Sequence, residues 1–414
     1  MRPLRLACLL VPLLLARAEA QLLQGGRLAV GCDGDDKVHV FGAGGNPQGT
    51  LPLSPIVAAE PSGVAFGPDG RVYVVSTDTQ EVLVLDAVGV TMDAFPLSED
   101  SAAVALAFGP DGLLWVLDDG NHELVRFDTA GIPKPSVPVP GGIFPEAGLA
   151  FAADGRVLVC SQTTDSVLEL DPATGALIRE LGAGQLASPR GLAIAPDGRL
   201  LVCEATDIAV LDPDGSVAET LTDASFEDLR GVAFGPDLKL YVADAGADMV
   251  HVLTDGDVTD HIGGATLDDP VCVAFAPHRF KATLKGTLAR AGQPLSKIKE
   301  TSVVVSLLPG SRTMMLALTD DVTEPGDLSS VFGATYLVFR GFEAAQDDGT
   351  KVRLWQGTQV GSPAAAAGLA SLSLQINGSM SQGQFVPKKA KGTLLRNGEA
   401  GVYSATVKLG KAVK

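Results

Sequence analysis

A phrase recurs along the chain at intervals of 42, 43, 43, 40 and 41 residues, an N-terminal fragment supplies the strands that its last copy lacks, and pattern and charge both change near residue 278. These three observations predict an all-β protein: a six-bladed β-propeller over residues 21–278, closed by N-terminal strands, then a β-sandwich-like domain over 279–414. Composition agrees. The 414 residues are 46% hydrophobic and 19% charged, too apolar for a disordered chain, and 48 glycines suit many short strands joined by tight turns.

Residues 1–20 stand apart from both domains. Arg2 and Arg5 open the chain, an apolar run follows from Leu6 to Leu15, and Ala18-Glu19-Ala20 supplies a small-x-small cleavage signal. This is the pattern of a secretory signal peptide, so the expected product is secreted or periplasmic after cleavage near Ala20. The apolar run is too short for a membrane span, and so is the Ala-rich piece from Pro363 to Leu372.

The phrase reads GVAFGPDGRVYVV from Gly63, ALAFGPDGLLWVL from Ala105, GLAFAADGRVLVC from Gly148, GLAIAPDGRLLVC from Gly191 and GVAFGPDLKLYVA from Gly231, and it fades to CVAFAP from Cys272. Each copy codes for a hairpin. An apolar first strand such as Val64–Phe66 runs into Pro68-Asp69-Gly70, where Asp-Gly favours a two-residue turn, and Arg71–Val75 returns antiparallel. That turn sets Gly63 opposite Ser76. A polar loop, a third strand such as Val82–Leu85 and a weaker fourth complete the blade. The first strand is nearly all small or apolar, as a strand packed on both faces near an axis must be, and the Ala at the third place of the phrase is expected to let neighbouring blades approach.

Ring closure follows from two matching deficits. The last phrase has no second strand after it, whereas Arg27–Val30 matches Arg71–Val74 and Lys37–Phe41 matches Glu81–Leu85. The two chain segments therefore share one composite blade, which with five whole blades makes six. In that blade Cys272 takes the Gly63 place and Cys32 the Ser76 place, so a Cys32–Cys272 disulfide is expected across the seam. Cys160 and Cys203 each take the Val75 place of their own blade and are expected as free, buried thiols.

The stretch GPDGLLWVLDDGNHELVRF from Gly109 to Phe127, with Asp-x-Gly-Asn-His at Asp118–His122, resembles the NHL repeat, and the resemblance extends over about 27–278. It implies the propeller fold. Function is left open by it, since similar propellers serve as protein-binding platforms, lactonases and lyases.

Aligning the blades places Ser76, Asp118, Ser161, Glu204, Asp244 and Cys32 at one position, where second strands end at the mouth of the ring. Three carboxylates there, Asp118, Glu204 and Asp244, form a candidate site for a hard cation such as Ca²⁺. Arg190 and Arg230 immediately precede the first strands of blades 5 and 6 and are expected to pair with Glu204 and Asp244. Asp118 has Val104 in the corresponding place and lacks that partner. These five residues are the candidate ligand-binding mouth.

Residue inventories weigh on the enzyme readings. Gluconolactonase-type propellers hold their metal with a Glu, two Asn and an Asp, and here the propeller sequence offers Asn46, outside the phrase, and Asn121. Peptidyl-amidating lyases need several His at a metal. His39 and His251 align within the third strands of neighbouring blades, and two His alone are an incomplete zinc site. Streptogramin-lyase-like propellers resemble the phrase from Gly109 to Trp115, but the other blades lack that Trp. No Ser-His-Asp arrangement or Gly-rich phosphate loop stands out. The reading preferred on these grounds is an exported, non-catalytic platform that binds a protein or glycan ligand at the mouth. The alternative is a metal-dependent hydrolase or lactonase of the gluconolactonase type.

Charge separates the two domains. Residues 21–278 carry 11 Lys and Arg against 39 Asp and Glu, a balance of −28, whereas 279–414 carry 17 against 9, a balance of +8. The acidic propeller disfavours nucleic acid and anionic membranes as partners. Beyond Phe280, seven or eight apolar-alternating runs separated by Gly, Pro, Asn and Asp suggest a sandwich. Lys285-Gly286-Thr287-Leu288 recurs as Lys391-Gly392-Thr393-Leu394, Lys388 and Lys389 add to a basic cluster beside the second copy, and Asn377-Gly378-Ser379 is a glycosylation sequon.

Overall fold

The structure is a computed structural model that describes residues 27–276, apart from short stretches within loops, and the backbone of eight strands between His278 and Ala412. The expected signal peptide lies outside the described residues. Among those residues there are six four-stranded antiparallel sheets and one closed eight-stranded sheet, and no helix is long and apolar enough to cross a membrane.

The six sheets are the blades. Blade 2 shows the common plan, with strands Pro61–Phe66, Val72–Ser76, Glu81–Leu85 and Thr91–Pro96 paired in chain order from the axis outwards. Blade 1 is composite. Its innermost strand, Pro270–Phe275, pairs with Leu28–Cys32, which pairs with Lys37–Phe41 and then Pro47–Leu51. The ring closes through hydrogen bonds between the two ends of the propeller sequence, as the matching deficits predict.

Packing between blades is the main source of stability, because each sheet buries both faces of its inner strands. A cluster of buried side chains fills the gap between each blade and the next. One rule repeats in these gaps. The residue next to the start of a second strand packs edge-on against the phrase aromatic of the following blade: Tyr73 on Phe108 at 4.9 Å, Trp115 on Phe151 at 5.4 Å, and Tyr241 on Phe275 at 4.7 Å between ring centroids.

Close approach near the axis depends on the first residue of the phrase as well as on the Ala at its third place, which lies in the gaps between blades at Ala65, Ala193 and Ala274. A Cβ on Gly191 would lie 2.0 Å from the Arg230 carbonyl oxygen, and one on Gly231 would lie 2.7 Å from Cys272 Cα. Gly191 N–H also donates to Arg230 C=O at 3.1 Å, so first strands touch backbone to backbone. Glycine is needed there because the next blade occupies the space of a side chain.

The hairpin register differs by one residue from the expected one. Phe66 pairs with Val72 and Gly63 with Val75, with five residues in the connection and a bulge before Pro61 pairs with Ser76. In blade 1 the same register sets Gly31 opposite Cys272, and the bulge that follows pairs Cys32 with Pro270. Because side chains alternate along a strand, a one-residue slip moves a side chain to the other face. Cys272 packs with the blade 1–blade 2 cluster and Cys32 with the blade 6–blade 1 cluster. The expected Cys32–Cys272 bridge is therefore not formed: Cys32, Cys160, Cys203 and Cys272 are all free thiols. Burial raises the thiols of Cys32, Cys160 and Cys272 to about 12.

The strands of 278–414 pair in chain order, from His278–Arg290 to Val402–Ala412, and the last pairs with the first. This is an up-and-down closed barrel in place of the expected two-sheet sandwich. Alternation with period two reports strands with one face buried, which both architectures need, whereas closure rests on a long-range pairing that leaves no local mark. The repeated tetrapeptide has a structural counterpart. Lys285–Leu288 and Lys391–Leu394 flank the same segment, Tyr403–Thr406, at the same register from either side.

Candidate ligand-binding site

The aligned position at the end of each second strand is real, but its side chains serve their own blades. Asp118 is fully buried. Its Oδ1 accepts the Ala102 N–H at 2.9 Å and the Asn121 N–H at 3.4 Å, and its Oδ2 accepts the Asn121 amide at 2.9 Å. Asp244, also fully buried, accepts N–H bonds from Glu227 (2.9 Å), Asp228 (2.8 Å), Gly246 (3.1 Å) and Ala247 (3.1 Å), and meets His251 Nε2 at 2.8 Å. Ser76 Oγ accepts from Thr79 N–H at 3.2 Å, Ser161 Oγ from Thr164 N–H at 3.4 Å, and Glu204 Oε1 from Ala187 N–H. The shared task is to satisfy the backbone of the turn into the third strand, of the loop that approaches the first strand, or of both. Buried N–H groups require such acceptors.

This accounting decides what the acids can do. Burial pushes the Asp244 carboxyl up, but the His251 hydrogen bond and the backbone donors outweigh it and hold the group below the usual carboxylate range. Glu204 goes the other way, to about 7, through burial first and then its hydrogen bond with Asp207. Among the described residues, Asp118, Glu204 and Asp244 are not drawn together on one point; each is held in its own blade. The side chains that could share an ion are Cys32, Asp35 and His39, whose ligand atoms lie within 4.8 Å of one another. His39 and His251, aligned in sequence, are likewise held separately: His39 Nε2 meets Asp35 Oδ2 at 2.9 Å, and His251 Nδ1 meets His261 Nδ1 at 3.0 Å.

Arg190 and Arg230 do come together, with partners other than the expected Glu204 and Asp244. Glu146 lies 2.8 Å from Arg190 Nε and 2.6 Å from Arg230 Nη1. Asp228 lies 2.7 Å from Arg230 Nη2 and also meets Arg190. Two acids and two bases thus close a partly buried network across blades 4, 5 and 6. The Arg side chains leave the start of their first strands towards the axis, whereas Glu204 and Asp244 turn into their own blades, so the expected pairs cannot form. Burial raises Asp228, but Arg230 and Arg190 overcome it and lower the carboxyl. Sequence comparison missed Glu146 and Asp228. The available signal was their place two and three residues before a phrase, in connectors whose spacing varies.

Beside this network is a cavity of about 310 Å³ to which all six first strands contribute. Its lining mixes apolar side chains, Val64, Leu106, Leu149 and Val232 among them, with polar groups and backbone, and its rim carries Asp33, Glu60, Glu146 and Arg230. The rim on the side of blades 1 and 2 is acidic. Glu60 is raised by burial and then by Asp78 and Asp33, and Asp269 is raised by burial with contributions from Asp33 and Asp228. Glu60 also has a left-handed backbone, φ 29°, and its N–H donates to Asp36 Oδ1 at 3.2 Å. A non-glycine residue in that region is strained and is held by its surroundings.

No protein-family model matches the chain, and the search of curated proteins finds no match. Solved structures do. A protein of unknown function from Bacteroides caccae matches with TM-score 0.52 and 16% identity over 60% of this chain and 98% of that one. A chain of the nidogen–laminin complex matches with TM-score 0.50 and 14% identity over 60% of this chain and 98% of that one. Streptogramin B lyase gives TM-score 0.47 and 15% identity over 62% of this chain and 92% of that one. The fold is an NHL-like six-bladed propeller. At these identities the likeness extends to the fold alone.

Proposed function

We propose that the protein is an exported binding platform whose propeller mouth engages a protein or glycan ligand without catalysing its conversion. The observation that carries this reading is the axial cavity of about 310 Å³, part apolar and with an excess of carboxylates in its lining, at which all six blades meet. Its volume is at the small end for ligand sites, enough for one long side chain or one sugar ring and too little for a folded segment. The excess of carboxylates favours a cationic group, a Lys or Arg of a partner or an amino sugar, with attraction that weakens as salt rises. The matched chain from the complex of nidogen with laminin makes a protein the first ligand class to test. The hydrolase alternative drew on Asp118, Glu204 and Asp244, and the hydrogen bonds that occupy these acids weigh against it.

The test is to present the full chain to an array of basic peptides and amino-sugar glycans at low and high salt. Capture that falls with salt and is lost in Glu60→Lys supports the mouth. Capture that Glu60→Lys leaves intact, or backbone protection confined to the outer strands in hydrogen exchange, would exclude it.

A further inference from the structure

The first hairpin of the composite blade brings together a thiol, a carboxylate and an imidazole. Cys32 ends the strand Leu28–Cys32, Asp35 lies in the following turn, and His39 is at the centre of Lys37–Phe41. Cys32 pairs with Lys37 and Val30 with His39, so Cys32 and His39 project from the same face of the hairpin. Asp35 folds back over that face, its Oδ2 at 2.9 Å from both His39 Nε2 and Lys37 Nζ. Its other oxygen, Oδ1, is buried and has no hydrogen-bond partner. A buried carboxylate oxygen without a donor is costly and unusual in a folded protein.

We propose that Cys32, Asp35 and His39 bind a zinc ion. The spacing Cys-x2-Asp-x3-His within one hairpin gives sulfur, oxygen and nitrogen donors within 4.8 Å of one another, near enough for small side-chain movements to bring them to the separation of about 3.5 Å set by a tetrahedral zinc ion. The donor set selects the metal. Thiolate and imidazole suit Zn²⁺, whereas Ca²⁺ wants six to eight oxygens. Three protein ligands leave a fourth position for water. On binding, the S–H bond of Cys32 breaks, its electron pair forms the metal–sulfur bond, and one proton is released to solvent. His39 moves its ring proton from Nε2 to Nδ1 so that the Nε2 lone pair faces the ion. Lys37, half-exposed on a flexible stem, swings away from Asp35.

The place of the site gives it a role. Asp33 N–H donates to Asp269 C=O at 3.0 Å and Gly34 N–H to Asp268 C=O at 3.2 Å, so this turn is stitched to the segment that leads into Pro270–Phe275. An ion held by Cys32, Asp35 and His39 would stiffen the hairpin that closes the ring.

The experiment uses the full chain, reduced and stripped of metal by a chelator, then titrated with Co²⁺ and back-titrated with Zn²⁺. One equivalent of Co²⁺ should produce a thiolate-to-cobalt charge-transfer band that Zn²⁺ abolishes, and Zn²⁺ should raise the melting temperature. Cys32→Ser should lose the band, Cys272→Ser should keep it, and His39→Gln should bind Zn²⁺ at least ~10-fold more weakly. A folded wild-type chain with no band, a band that survives Cys32→Ser, or one that disappears in Cys272→Ser would overturn the site. Should Cys32→Ser fail to fold, His39→Gln decides alone, and unchanged Zn²⁺ affinity in that variant would refute the proposal.

Discussion

Blade 6 and the composite blade share one backbone plan and hold it together by different means. In blade 6 the chain is continuous, and the residue ending the second strand is Asp244, whose two oxygens accept four backbone N–H groups and face His251. In the composite blade the same position is Cys32, a weak acceptor facing the Asp268 N–H, and the adjoining inner strand comes from the far end of the propeller. A carboxylate at this position stabilises two loops at once. A thiol leaves the loops to their own backbone bonds and leaves Asp35 Oδ1 without a donor. The comparison shows that the repeat fixes where a blade needs an anchor, while the identity of the anchor sets how firmly that blade is tied.

Deletion of the N-terminal strands is the strongest way to break the comparison. Removing residues 27–41 takes away the strand against which Pro270–Phe275 pairs and uncovers the blade 6–blade 1 core cluster, including Tyr241 and Val250. The expected outcome is loss of a cooperative thermal transition and aggregation through the exposed strand edges, read by circular dichroism and size-exclusion chromatography. A monomer that still melts cooperatively would show that the ring does not depend on this seam.

The anchors themselves should rank by the donors they satisfy. Asp244→Ala removes the acceptor of four backbone N–H groups and the partner of the buried His251 ring, and should cost about 3–5 kcal/mol in denaturant unfolding. Asp118→Ala removes the acceptor for two backbone N–H groups and one amide and should cost about 2–3 kcal/mol. Cys32→Ala, measured with a chelator present, should cost about 1 kcal/mol, typical of a single substitution. Equal losses at the three positions would mean that the anchor is only a space-filling residue.

The repeat was legible because its physics is local: small first-strand residues, a turn signal and a β-branched return strand recur in each copy. Ring closure was legible for the same reason, since Arg27–Val30 and Cys272–Pro277 are halves of one phrase. The hairpin connection was not. Pro-Asp-Gly reads as a two-residue turn, yet five residues separate Phe66 from Val72, and that single step moved Cys272 off the face that Cys32 uses. The site was legible in part. Alignment grouped Asp118, Glu204 and Asp244 correctly, but their partners are backbone N–H groups, which no side-chain pattern reveals. Glu146 and Asp228 were missed because they sit in connectors of varying length, and the Cys32–Asp35–His39 cluster because one member lies in a turn, outside the strands that were aligned.

Glu204 offers the smallest and most discriminating test, since it is an anchor one methylene longer than Asp118 or Asp244. It reaches the Ala187 N–H, but it also meets Asp207, and the pair holds a proton: burial and the contact with Asp207 raise Glu204 to about 7. In the unfolded chain a glutamate titrates near ~4.3. Between those values the folded protein retains a proton that the unfolded chain has released, so the contribution of this group is full below ~4.3 and is lost as pH rises through about 7. Asp244 has the opposite sign. Its lowered value gives a contribution that is present above ~3.9, the unfolded aspartate value, and is lost as pH falls through the folded one. Melting temperature should therefore decline from pH 5 to pH 8 in the wild-type chain, and Glu204→Gln should flatten that decline without altering the fall in strong acid. A Glu204→Gln profile parallel to the wild type would mean that the carboxyl pair shares no proton, and that Glu204 anchors its blade as Asp244 does.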